Sequence, residues 1–522
     1  MNAVAPVLRY WGALAAALGL AATALILNRH RFDWAFELFD IPAIWFAAGL
    51  GIAGVLALPL PWLIGKSVSL AGRQQQQLLI FIVAVGLVLR ALMFLVQPVL
   101  EDDYYRYLWD GGVTARGFNP YRLAPAAARE EGEETAVGRL AEQAGVVMDR
   151  INHPDLKTIY PPIAQAAFAL AHLIEPWSLR AWRGVCLAGE VATLVLLIAL
   201  LIAAKRSPLW VALYWWNPLI IKEMSNSAHM EAILMPLVLG ALLLSVRGRT
   251  MSGVSVLGLA AGAKLWPILL APLLLRPLWS RKNPAWKLII AATILGLMMT
   301  AWVLPPYLGG IDETSGFVAF ANYWQTNSAF FPVLAEVVAT LLQVVDLPNE
   351  NAGVIARATL GVIVAGTAVA IAVRPWLDAA GLLGKVLVFT TVLFLLSPAQ
   401  FPWYAAWMMP FLSFHPSLPL LGLTALLPIY YASFHFLARE EYDVYRYGLV
   451  WLIWLPVWIG LGLQIWQRRS VTANGSSNAL RCVGWRCHSG AKRGGGDWPR
   501  YCRYPSLGRQ NRHRRQWLNR RN

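Results

Sequence analysis

The chain has 522 residues, 58% hydrophobic and only 14% charged, with 25 Trp and a formal net charge of +16. A soluble globular domain carries about a quarter charged residues, so these proportions exclude one. Cys186 is the single cysteine before residue 471, which excludes a disulfide framework in the body.

Apolar runs of about 18 residues or more are membrane-span candidates. They recur here at about 11–27, 41–64, 77–98, 184–203, 208–222, 228–246, 286–306, 353–373, 381–396, 403–414, 417–437 and 447–466. The pattern predicts an all-α polytopic membrane protein of about 12 spans. A β-barrel requires alternating segments of about ten residues, and the sequence has none. The first run follows Arg9 without a small-residue cleavage site, so it reads as a retained span. Residues 161–176, 252–275 and 329–345 are apolar but short or interrupted, and read as spans, hairpins or interfacial helices.

Lys and Arg in short loops set orientation. Lys66, Arg73, Lys205, Arg206, Arg247, Arg249, Arg276, Arg281, Lys282, Arg468 and Arg469 mark cytoplasmic edges. This places the N-terminus inside and the long Glu101–Tyr160 loop outside, after the third span. Asp312-Glu313 and Arg439-Glu440-Glu441 then lie outside, while Arg29 and Arg31 run against the rule. Parity holds if 252–275 is a hairpin broken near Lys264 and Pro267.

The outer loop opens on Glu101-Asp102-Asp103, directly after an apolar run. Carboxylates at a span end are costly unless they meet water, a cation or a reacting group. Tyr104, Tyr105, Tyr107 and Trp109 follow, aromatic surfaces suited to sugar rings and lipid headgroups. A carboxylate here can take the proton from an attacking hydroxyl. Further on, Gly117–Tyr121 reads as a turn, and Ala126–Met148 as a Glu-rich surface helix. Met224–Ser227 forms a polar gap between spans, flanked by Lys222 and His229. The body has no Gly-rich phosphate loop, no nucleotide fingerprint and no metal-ligand spacing, so neither a cofactor nor a metal is expected.

After Ser470 the composition changes. Residues 471–522 carry twelve Lys/Arg against the single acid Asp497, most of the net charge. We divide the chain into a membrane-embedded body, 1–470, and a basic tail, 471–522, with Val471–Asn478 as linker. The tail reads either as a disordered segment or as a frame-shifted remnant. Back-translated into GC-rich codons and moved by one base, Val483–Asn522 can yield the strings PAQNEE and VDNGSTD. Those are similar to the opening of nucleotide-sugar-using family 2 glycosyltransferases. The charge is therefore no sign of nucleic-acid binding by the body.

Four blocks carry a resemblance: EDDYYRYLWDGGVTARGFNPY (101–121), NHPDLKTIYPPIAQ (152–165), WNPLIIKEMSNSAHMEA (216–232) and LSPAQFPWYAAWMMP (396–410). In order and spacing they resemble GT-C-fold glycosyltransferases, most closely the bacterial mannosyltransferase-like members of glycosyltransferase family 87. The resemblance implies a polyprenyl-phosphate sugar donor, a glycan or lipid acceptor, and an Asp general base, Asp102 or Asp103, in the cytoplasmic (inner) membrane among its lipids. It leaves the role of Glu101 open. One family block has His followed two positions later by Asp; His229 and Glu231 stand there. Arg106, Lys222, His229 and Lys264 are candidates for the donor phosphate. Tyr107, Trp403, Tyr404, Trp407 and Tyr323–Asn327 are candidates for sugar, prenyl chain or acceptor. The rival reading is a transporter or flippase of lipid-linked sugars, favoured only by Lys264 in a broken helix.

Overall fold

The computed structural model describes residues 4–32, 37–279 and 284–482. Arg281, Lys282, Cys487, Cys502 and the tail beyond Cys482 lie outside them. Among the described residues nine helices are long and apolar enough to cross a membrane, and a bent pair makes a tenth. The fold is all-α and polytopic. Thr326 and Ala399 form a single isolated bridge.

The spanning helices begin with α1 (Val4–Leu27), α2 (Ala43–Ala57, running on after a turn to Ser67) and α3 (Gly72–Met93). Two expected spans are not spans. Pro208 and Pro218 divide 208–222 into three short helical pieces, the first half-buried and the other two buried. Pro402 and Pro410 do the same to 403–414. Proline lacks the amide that continues a helix, so these runs fill the interior instead of crossing.

The start of the outer loop is a helix, α4 (Asp103–Ala115). It packs on α5 (Pro162–Ile174), which begins at Pro161-Pro162, where a missing amide costs nothing. The packing needs Gly111 and Gly112: a Cβ on Gly111 would lie 2.5 Å from the Phe168 carbonyl oxygen, and one on Gly112 would lie 2.4 Å from the Trp177 ring. The Glu-rich segment 126–148 is not one helix. Gly132 and Gly145 adopt positive φ and break it into short turns.

Next come α6 (Leu179–Ala203) and the bent pair. Pro218–Asn226 ends in a π-turn, Ala228 takes φ +57°, and α7 (Glu231–Val246) leaves at 115°. A broken helix in a membrane is tolerated when neighbours satisfy the freed backbone. Here Arg183 donates to the Asn226 carbonyl from Nε at 3.1 Å and Nη2 at 2.5 Å, and Trp182 Nε1 donates to the Ala228 carbonyl at 2.7 Å. A fully buried ion pair, Arg90–Glu190 at 2.8 Å, joins α3 to α6. Residues 252–275 are a broken hairpin: α8 (Thr250–Ala263) stops before Lys264 and short turns return from Trp266 to Trp279.

The contacts divide the chain into Met1–Leu463 and Gln464–Asn522. The last helix, Val450–Cys482, continues through the expected linker Val471–Asn478. Extending an existing helix needs no new nucleus, so poor helix formers there do not end it.

Candidate active site

Between α3 and α4 the chain turns through Leu100, at φ +53°, and delivers Glu101, Asp102 and Asp103 to the first turn of α4. The tether is Asn226. Its side-chain oxygen accepts from the Val99 amide at 2.9 Å, and its nitrogen donates to the Val96 and Gln97 carbonyls at 3.2 and 3.0 Å. The break in the spanning pair therefore fixes the acidic segment.

A cavity of about 1100 Å³ opens over it. Of the predicted residues, Glu101, Asp102, Asp103, Arg106, Tyr107, Glu231, Lys264, Trp403, Tyr404 and Trp407 all line it, with Tyr323–Thr326 on the opposite wall. Asn327, at the end of that stretch, is buried and holds it in place. It donates to the Gln400 carbonyl at 2.9 Å and accepts from Tyr445 Oη at 2.5 Å. Lys222 and His229 do not line the cavity; they are buried behind Glu101.

Asn152 clamps the aspartate pair, donating to Asp102 Oδ1 at 2.8 Å and Asp103 Oδ1 at 3.0 Å. Asp103 also accepts from Tyr107 Oη at 3.4 Å and lies 3.9 Å from His229 Nδ1. Asp102 occupies the N-cap of α4 without making a capping bond. Burial, and then the neighbouring Asp103 carboxylate, push Asp102 up to about 6; the Asn152 amide opposes the shift. Glu101 is buried more deeply and is raised well above the carboxylate range by that burial. Lys222 opposes the rise, while Glu223, Asp103 and Asp102 add to it.

Three cations belong to the cavity wall. Arg106 is held by Asp110 (3.0 Å) and the Leu156 carbonyl (2.9 Å), while its buried Nη2 makes no hydrogen bond among the described residues. Lys264 pairs with Glu231 at 2.5 Å and sits over the rings of Tyr404 (4.0 Å) and Trp407 (5.0 Å). Lys157 pairs with Asp312 at 2.6 Å, which puts the Asp312 loop on the same side as residues 101–160.

Behind the wall, Tyr431 Oη lies 3.2 Å from Glu101 Oε1 and 2.5 Å from Glu223 Oε1, and Lys222 bonds to the same hydroxyl. His229 stacks on Trp403 with centroids 3.9 Å apart. The sequence has no metal-ligand spacing, yet the fold brings one ligand atom each of Glu101, Glu223 and His229 within 4.8 Å of one another. Tyr431 carries no local signal, and Glu223 stands out only as part of the block 216–232; they meet Glu101 from 330 and 122 residues away. Asn152 was legible only as part of a motif block.

The arrangement offers a hydroxyl-bearing substrate two adjacent carboxylates, aromatic walls and cations within one cavity. A family model described as alpha-(1->6)-mannopyranosyltransferase, N-terminal domain, matches residues 7–281, over half of the chain. No curated protein and no solved structure matches.

Proposed function

The chain belongs to the alpha-(1->6)-mannopyranosyltransferase family, and from that premise we propose that it moves mannose from a polyprenyl-phosphate donor to a hydroxyl of a glycan or lipid acceptor at the outer face of the cytoplasmic membrane. That it is a membrane-embedded glycosyltransferase follows from the family and from its spanning helices. Donor, sidedness and mechanism are our reading.

The observation that carries it is the aspartate pair on the wall of a cavity that also holds cations and aromatic rings. In the proposed step the acceptor oxygen attacks the anomeric carbon and its proton passes to an Asp carboxylate. The bond from that carbon to the phosphate oxygen breaks, with inversion, and the lipid phosphate leaves. Asp102 is the better base. It has the single partner Asn152, whereas Asp103 also meets Tyr107 and His229. Its elevated pKa lies nearer a working pH, where proton transfer is more favourable. Asp103 steers the acceptor and the developing positive charge at the sugar.

For the leaving phosphate, Arg106 Nη2 supplies a donor that no other group uses among the described residues, and charge-assisted bonds to phosphate are strong. Lys264 is the second candidate. Its pairing with Glu231 inside the same cavity supports a role in the transfer site over one in a transporter. Residues 1–470 form the catalytic body in this reading, and the tail takes no part.

The test is transfer of radiolabel from polyprenyl-phosphate mannose by the purified chain in liposomes. Labelled acceptor supports the reading. Label transferred only from a nucleotide sugar, or none transferred while labelled lipid crosses the bilayer, overturns it.

A further inference from the structure

The group behind the cavity wall contains more negative charge than the glycosyl-transfer reading uses. Glu101 and Glu223 are buried, and Asp103 is 3.9 Å from His229. Against these three carboxylates stands Lys222, 3.4 Å from Glu223 Oε2 and 3.8 Å from Glu101 Oε1. With neutral imidazole, ionising all three carboxylates would leave two negative charges over around two buried groups, a costly arrangement.

The geometry also points to a ligand. His229 Nε2 is fully buried and makes no hydrogen bond, yet it faces Glu223 Oε2 at 3.4 Å and Glu101 Oε2 at 3.7 Å. The first separation is at the long limit of a hydrogen bond and the second is beyond it; both are close to those between ligands of one ion. At the usual zinc–nitrogen and zinc–oxygen distances of about 2.0–2.2 Å, tetrahedral ligand atoms lie about 3.3–3.6 Å apart.

The outer partners of these ligands are in place. A metal-bound histidine normally has its second nitrogen engaged, and His229 Nδ1 faces Tyr107 Oη at 3.5 Å and Asp103 Oδ2 at 3.9 Å. Metal-bound carboxylates are normally supported through their other oxygen, and Tyr431 Oη meets Oε1 of both Glu101 and Glu223.

We propose that Glu101, Glu223 and His229 bind a first-row transition dication such as zinc, directly behind the aspartate pair. One imidazole nitrogen and two carboxylate oxygens suit such an ion better than calcium, which takes six to eight oxygens. A dication brings the group of Glu101, Glu223, Asp103 and Lys222 to neutrality. It also fixes Glu101 and, through His229 and Tyr107, the Oδ2 atom of Asp103. The site is structural and electrostatic, and its existence does not depend on the transferred sugar or its donor.

Cobalt is the probe, because its visible spectrum reports coordination. The full-length chain carries Cys482→Ser, Cys487→Ser and Cys502→Ser, so that tail thiols do not contribute. Stripped of metal in detergent, it takes up about one cobalt ion per chain, with four-coordinate visible bands, as expected for three protein ligands and a water in the fourth position. Glu223→Gln and His229→Gln each weaken uptake by at least about tenfold, and Asp102→Asn leaves it unchanged. Where Glu223→Gln fails to fold, the parent chain decides alone. Negligible cobalt uptake by the parent overturns the proposal, as does uptake that survives both substitutions.

Discussion

The carboxylate pair in the cavity was legible because Asp102 and Asp103 are neighbours in the chain; their environment was not. Asn152 comes from 50 residues away and touches both, so no local pattern announces it. The same holds for Glu223 and Tyr431, which set the charge balance around Glu101. Lys222 and His229 were singled out as candidates for the donor phosphate, but the fold turns them toward carboxylates and away from the cavity. The Asp102 environment sets a pH dependence. Its carboxyl is raised to about 6 and must be ionised to accept a proton, so kcat/KM falls as pH drops through about 6 and is flat above it. The Asn152 amide stabilises the carboxylate, so Asn152→Ala raises that pKa further and moves the acid limb to higher pH. Profiles of the two proteins measured side by side check both the position and the direction. An acid limb that stays in place in Asn152→Ala contradicts the assignment.

Helices long enough to cross were mostly readable from hydropathy, and the overcount has a specific cause. Residues 208–222 and 403–414 are as apolar as true spans, yet prolines fragment them and the pieces are mostly buried as core. Hydropathy does not separate a lipid-facing helix from a buried one. The polar gap at Met224–Ser227 was visible in sequence; the 115° bend and its role as the anchor of residues 96–99 were not. Asn226→Ala strands the buried Val99 amide, while the Val96 carbonyl keeps Arg183 Nη2 at 2.9 Å and the carbonyl of the exposed Gln97 loses one partner. A stranded buried group costs about 1–3 kcal/mol, and a shift of about 1 Å in the acidic segment costs roughly a hundredfold in rate. Thermal unfolding in detergent and transfer assays on the same preparation should both show the loss. Gly111→Val tests the contact between α4 and α5, where overpacking costs about 1–3 kcal/mol and lowers the unfolding temperature.

At the scale of the whole molecule, the Lys157–Asp312 pair and the cavity lining gather residues 101–160, 310–326 and 397–407 on one side. The Lys/Arg distribution predicts that this side is the exterior. Cysteines introduced as Asp155→Cys and Lys205→Cys, in a chain whose three tail cysteines are Ser, should separate. The first is labelled by an impermeant reagent from outside intact cells, and the second only after lysis. The cationic tail dominates the net charge but lies outside the matched residues 7–281, so truncation after Ser470 leaves transfer intact. All of these expectations meet in the base. The most direct test is single-turnover transfer from polyprenyl-phosphate mannose by Asp102→Asn and Asp103→Asn proteins, each confirmed as folded and membrane-inserted. Loss of a general base costs roughly 10²- to 10⁴-fold; Asp102→Asn should fall in that range and Asp103→Asn should lose less. Wild-type rates in the Asp102→Asn protein would contradict the account.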